Sequence, residues 1–66
     1  MSDAMKNREV IFEVAPMGNA MRVSAFDVKT LTEVVIQVPL GASERMVQAN
    51  ALKRLEYVLR KKGLIA

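Results

Sequence analysis

The stretch SERMVQANALKRLEYVLRKK, residues 43–62, decides how the rest of the chain folds. Wound at about 100° per residue, it places Val47, Ala51, Leu52, Leu55, Val58 and Leu59 on one side of a helix. That is the i, i+3, i+4, i+7, i+8 spacing of an amphipathic helix with a broad apolar face. Glu44, Gln48 and Lys62 flank this face at the ends or on stems long enough to reach water. Arg45, Lys53, Arg54, Tyr57, Arg60 and Lys61 fall on the opposite side, with Met46 the apolar exception among them. Both ends carry signals. Ser43 can accept a hydrogen bond from a free N–H of the first turn, and Glu44 sits at the positive end of the helix dipole. Arg60, Lys61 and Lys62 occupy the last turn, where cations are favoured, and Gly63 can take the left-handed terminal position. Leu64 or Ile65 can then fold back on the last turn, and Glu56 faces Arg60 at i, i+4.

The sequence before this helix alternates instead of turning. Arg8–Val14 sets Val10, Phe12 and Val14 against Glu9, Ile11 and Glu13. Ala20–Phe26 sets Met21, Val23 and Ala25 against Arg22, Ser24 and Phe26. Thr32–Val38 sets Thr32, Val34, Ile36 and Val38 against Glu33, Val35 and Gln37. Period-two patterns rich in β-branched residues predict half-buried strands. Pro16-Met17-Gly18-Asn19 reads as a turn, as does Asp27–Leu31, where Asp27 and Thr30 are the signals and the lack of glycine predicts a longer loop. Pro39 is expected to end the third strand. The fold class is therefore α+β: a three-stranded antiparallel meander followed by one long C-terminal helix packed on one sheet face. Residues 1–7 (MSDAMKN) show no periodicity and are expected to be a mobile tail, leaving 8–66 as a single β-β-β-α domain.

Composition narrows the function classes. A chain of 66 residues holds one domain and buries only about 60% of its unfolded surface. It has no cysteine to form a disulfide and no histidine to bind zinc or act as a general base. Domains of this size usually gain stability from a disulfide, a metal or a partner, so self-association is the route left. No apolar run approaches the roughly 18 residues of a membrane span, and the N-terminus lacks an apolar signal core, which predicts a cytoplasmic protein.

The sheet face away from the helix carries one large apolar residue per strand: Ile11, Phe26 and Val35. Singly such residues are ordinary. Together, in so short a chain with two open sheet edges, they predict a homodimer joined through sheet edges, through this face, or by exchange of an element. Pro39–Ser43 and Asp27–Thr32 are the candidate hinges for an exchange.

The formal charge of +3 is unevenly placed, with six of the ten Lys and Arg at Arg45, Lys53, Arg54, Arg60, Lys61 and Lys62. Lys53, Arg54, Tyr57, Arg60 and Lys61 form a basic outer face able to hold an acidic protein or to track nucleic-acid phosphates, with Tyr57 free to stack on a base. A solvated helix surface has the same composition, and no nucleic-acid fingerprint accompanies the stripe. Membrane adsorption is disfavoured because the apolar face is needed by the sheet. Ser24 and Ser43 lack a base, and Asp27, Glu33 and Glu56 lie on different elements, so neither an enzyme, a cofactor nor a small-molecule substrate is expected.

The segments REVIFEVAPMGNAMRVSAFD, TEV and ALKRLEYVLRKKG resemble a family of short bacterial β-β-β-α proteins of unassigned function. The resemblance runs from Arg8 to Gly63 and implies a shared fold and a cytoplasmic location, but no activity. The expected protein is a small, non-enzymatic, homodimeric interaction module, the alternative a nucleic-acid-binding accessory protein.

Overall fold

In a computed structural model describing residues 3–66, and of Asp3 the backbone alone, the alternating stretches form β1 (Val10–Met17), β2 (Ala20–Asp27) and β3 (Thr32–Pro39). They pair antiparallel in the order β1-β2-β3, and α1 (Glu44–Lys61) closes one face. This is the expected β-β-β-α arrangement. The register aligns Phe12, Ala25 and Val34 on the helix side, as it does Val14, Val23 and Ile36.

The strands run further than their breakers suggest. Only Gly18 and Asn19 turn between β1 and β2, with Gly18 at φ +60°, as a two-residue hairpin matched to strand twist requires. Pro16 and Met17 stay in β1, and Pro39 stays in β3. The hydrogen-bond phase explains both prolines. The Val28 N–H donates to the Glu9 carbonyl at 3.2 Å. By antiparallel alternation Ile11, Glu13, Ala15 and Met17 then bond to β2, while Val10, Phe12, Val14 and Pro16 turn their backbone groups to the open edge. The same count puts Glu33, Val35, Gln37 and Pro39 on the opposite edge. A missing N–H on an outward-facing edge position costs the ladder nothing.

The second connection, Val28–Leu31, is tied down from its start. Leu31 N–H donates to the Asp27 carbonyl at 2.8 Å, and Thr30 N–H donates to Asp27 Oδ2 at 3.0 Å. Leu31 itself sits at φ +60° with 72% of its surface exposed. A left-handed conformation costs a side-chain-bearing residue about 1–2 kcal/mol, and little burial offsets it here. Leu31→Gly is accordingly expected to raise the unfolding free energy by about 0.5–1 kcal/mol. A higher urea midpoint at unchanged slope is the confirming result; a lower one would reveal packing by Leu31.

The helix ends follow local chemistry. Ser43 Oγ accepts from the Met46 N–H at 3.2 Å. At the other end Gly63 takes φ +75°, its N–H bonds the Arg60 carbonyl at 3.0 Å, and the Leu64 N–H bonds the Leu59 carbonyl at 2.9 Å. This paired closure satisfies carbonyls the helix leaves open. Ile65, rather than exposed Leu64, returns to the core.

Val23, Ala25, Val34, Val38, Val47, Ala51, Leu55 and Leu59 form the buried core. Met5 joins them, carried in by a short 3-10 turn over Asp3–Met5. Met5 falls within the stretch 1–7 expected to be a mobile tail, and its side chain is nonetheless buried against the core. Met1 and Ser2, part of the same expectation, lie outside the described residues.

The helix rests on β3 and β2 and barely reaches β1. Size accounts for this. A helix about 10 Å across covers roughly two strands spaced about 4.8 Å apart, not three.

Candidate functional site

Because α1 stops short of β1, the inward face of that strand is only partly sealed. Val10 and Phe12 are half-buried, whereas Val14 keeps 53% of its surface exposed. Phe12, Val14, Met21, Ala42, Val47 and Gln48 line an open, largely apolar groove of about 400 Å³ between β1 and the start of the helix. Above it lie the outward backbone groups of Val10, Phe12 and Val14. Among the described residues no strand pairs with that edge. Sequence periodicity assigns Phe12 and Val14 to the helix side, which is right, but periodicity carries no measure of how far one helix reaches.

On the opposite sheet face the structure brings Ile11, Phe26 and Val35 together. Ile11 pairs directly with Phe26, and Val35, opposite Ser24, is diagonal to Phe26. Ile11 and Val35 are 48% and 43% exposed, and Phe26 is half-buried. They form one slanting apolar stripe, bordered by Glu9, Glu13 and Glu33.

The basic helix face is exposed at Lys53, Arg54, Tyr57, Arg60 and Lys61, but its members differ in what they touch. The Arg54 guanidinium lies 5.5 Å from the Tyr57 ring centroid and the Lys61 ammonium 5.7 Å, so cations already attend the ring. Arg60 donates to Glu56 Oε2 at 2.9 Å and, through Nε, to the Ala66 carbonyl at 2.8 Å. Lys53 stands apart, beside Ala49, Asn50, Leu52 and Glu56.

Another polar cluster lies at the far end of the sheet. Asp27 is fully buried. Its Oδ2 accepts from Arg8 at 2.9 Å, from the Thr30 N–H, and from the Thr30 hydroxyl in a short bond. Thr30 Oγ1 also meets Thr32 Oγ1 at 2.8 Å. Burial pushes the Asp27 carboxyl pKa up; the Thr30 and Arg8 hydrogen bonds and the Arg8 charge outweigh it, leaving the pKa below the ordinary carboxylate value. Asp27 Oδ1 finds no partner among the described residues. The Asp27-x-x-Thr30 spacing signals the turn, but the partnership with Arg8 is nonlocal and invisible to it. This cluster clamps the Asp27–Thr32 connection, one of the two candidate hinges. The bonds that Asp27 accepts from Arg8 and Thr30 all fall on Oδ2. Glu33 and Glu56, the other candidate acids, remain on separate elements, a strand and the helix. Among the described residues no three Asp or Glu side chains converge to hold a metal, and no helix is long and apolar enough to cross a membrane.

Among comparisons with known proteins, a family model described as "Domain of unknown function (DUF6898)" matches residues 7–62. No curated protein and no solved structure matches the chain.

Proposed function

We propose that this chain, which belongs to the DUF6898 family of domains of unknown function, works as a homodimeric, non-enzymatic interaction module in the cytoplasm. The observation that supports this most is the half-covered β1: an edge strand with an apolar inner face, unpaired outward backbone groups and an open groove beside it. A chain this small gains from covering that surface, and a second copy is always available at the chain's own concentration. Sedimentation velocity across about 1–100 µM, a span around ordinary micromolar affinities, is expected to give a species of twice the 7.3 kDa chain mass. A single 7.3 kDa species at the top of that range removes the proposal.

A second reading is favoured by the Arg54–Tyr57–Lys61 cluster, where an exposed aromatic ring lies between two cations. Such a group can exchange its cations for a base and lend them to phosphates. The same preparation tested by gel shift with random DNA and RNA separates the two readings. A shift that weakens with salt and disappears when Lys53, Arg54, Arg60 and Lys61 are changed to Glu supports nucleic-acid binding; a dimer without a shift supports the first.

A further inference from the structure

We infer that the second copy adds at the β1 edge, antiparallel and with the two-fold axis passing through Phe12, so that two three-stranded sheets become one. This rests on the dimer proposed above and names the surface that makes it.

The open edge allows few registers. The outward backbone groups belong to Val10, Phe12 and Val14, with Pro16 next in the same phase and unable to donate. A two-fold axis at Phe12 pairs Phe12 with itself and Val10 with Val14 of the other copy. All three outward residues then exchange bonds, and Pro16 falls opposite Arg8, just outside β1. Every neighbouring register is worse. Centring on Glu13 sets like charges face to face and spends Val10 on Pro16. Centring on Ile11 sets Glu9 against Glu13. Centring on Val14 sets Phe12 against Pro16. Centring on Val10 pushes Val14 out against Lys6, beyond the strand. Directly opposed like charges and proline in a ladder position are both destabilising.

The Phe12 register also joins what each copy leaves unfinished. On the helix side, Val10, Phe12 and Val14 of both copies form one apolar floor, and the two grooves lined by Phe12, Val14, Met21 and Val47 open onto it. On the other side Glu13 meets Ile11 of the second copy, and the two Ile11 residues become diagonal neighbours. The stripes Val35–Phe26–Ile11 of the two copies, set by the register within each sheet, then meet at this diagonal Ile11 pair, between the two Glu13 side chains. The edge of β3 offers no such match. Its inward side chains Val34 and Val38 are already buried beneath α1, so pairing there covers little new apolar surface.

The phase of the edge supplies the test. Val14 turns its N–H outward, so Val14→Pro removes nothing from the β1–β2 ladder while deleting the bond to Val10 of the other copy, twice by symmetry. The dimer dissociation constant is expected to rise at least about 100-fold, with the circular dichroism spectrum kept. Gln37→Pro, in the same phase on the β3 edge, is expected to leave the dimer intact. Phe12→Cys introduces the only cysteine of the chain, at a position facing its own copy at a Cα separation of about 5.5 Å, within disulfide range. Air oxidation is expected to link the two copies completely. Packing through the Ile11–Phe26–Val35 face puts a sheet between the two Phe12 positions and forbids the link. A wild-type dimer that survives Val14→Pro and gives no Phe12→Cys disulfide overturns the edge arrangement and leaves the dimer standing; a wild-type monomer overturns both. If Val14→Pro loses its fold, the Phe12→Cys link decides.

Discussion

Asp27→Asn is expected to lower the unfolding free energy by about 3–5 kcal/mol, a large share of what a domain of this size possesses. The carboxylate is fully buried, and Arg8, whose side chain is only 11% exposed, loses its counter-charge when the carboxylate becomes an amide. Breaking one partner of a buried pair costs far more than the pair contributes, because the remaining charge is left desolvated. The Thr30 N–H and hydroxyl lose an ionic acceptor in the same step. These bonds tie β2 to β3 and Arg8 to the hairpin, so the loss spreads beyond one turn. The effect carries a pH signature. The folded carboxyl has its pKa held below the ordinary value, so the unfolded chain takes up the proton first as the solution is acidified. The stabilisation is complete above the ordinary carboxylate pKa of about 3.9 and disappears as pH falls through the lower folded value. Urea midpoints of wild type and Asp27→Asn at neutral and acid pH check this. The gap between them should narrow with acid, whereas a gap independent of pH would mean that shape, not charge, is what Asp27 supplies.

Leu55→Ala is expected to cost about 2–5 kcal/mol, by lost transfer energy and by the cavity left behind. Leu55 has no exposed surface and lies midway along the helix, on the face that covers β2 and β3. Its neighbours Ala51 and Leu59, one turn away on each side, are equally buried, so the gap cannot be closed by a side chain swinging in from solvent. For a domain of this size a loss of 2 kcal/mol lowers the melting temperature by at least about 8 °C. The comparison belongs at one fixed protein concentration, because the dimer proposed above would make the melting temperature concentration-dependent. Val58→Ala, at a half-buried position of the same helix, supplies the smaller reference loss. Equal losses at the two sites would mean that the helix does not seal the core along Leu55.

The features legible in the sequence are those that local chemistry fixes. Ser43 and Gly63 mark the helix ends because capping involves only near neighbours, and both work as expected. Alternation assigns each strand residue to its correct face because side-chain direction has period two whatever the partner. The misread features depend on distance. Pro16 and Pro39 read as terminators until one knows that both strands are edges and that the missing donors point outward. Met5 lies in a polar stretch with no period, and only its packing against the core gives it a place. Asp27 shows itself as a turn former, but its burial depends on Arg8, nineteen positions away. The basic face is legible as a location. Its division into an aromatic cluster at Tyr57 and a paired, tail-bound Arg60 is not, because the Ala66 carbonyl reaches Arg60 only after the chain has reversed at Gly63.

The two prolines stand on adjacent rungs at the Gly18 end of the sheet, Pro16 opposite Met21 and Pro39 opposite Ala20. Alternating, β-rich strands in a chain that is 52% hydrophobic are the raw material of fibrils. With each rim blunted at the same end, a foreign strand can zip only part of the way along either side before it meets a residue with no proton to give. The prolines thus stand where gatekeeper residues stand in other sheets, shortening the stretch of each rim that can pair without interruption.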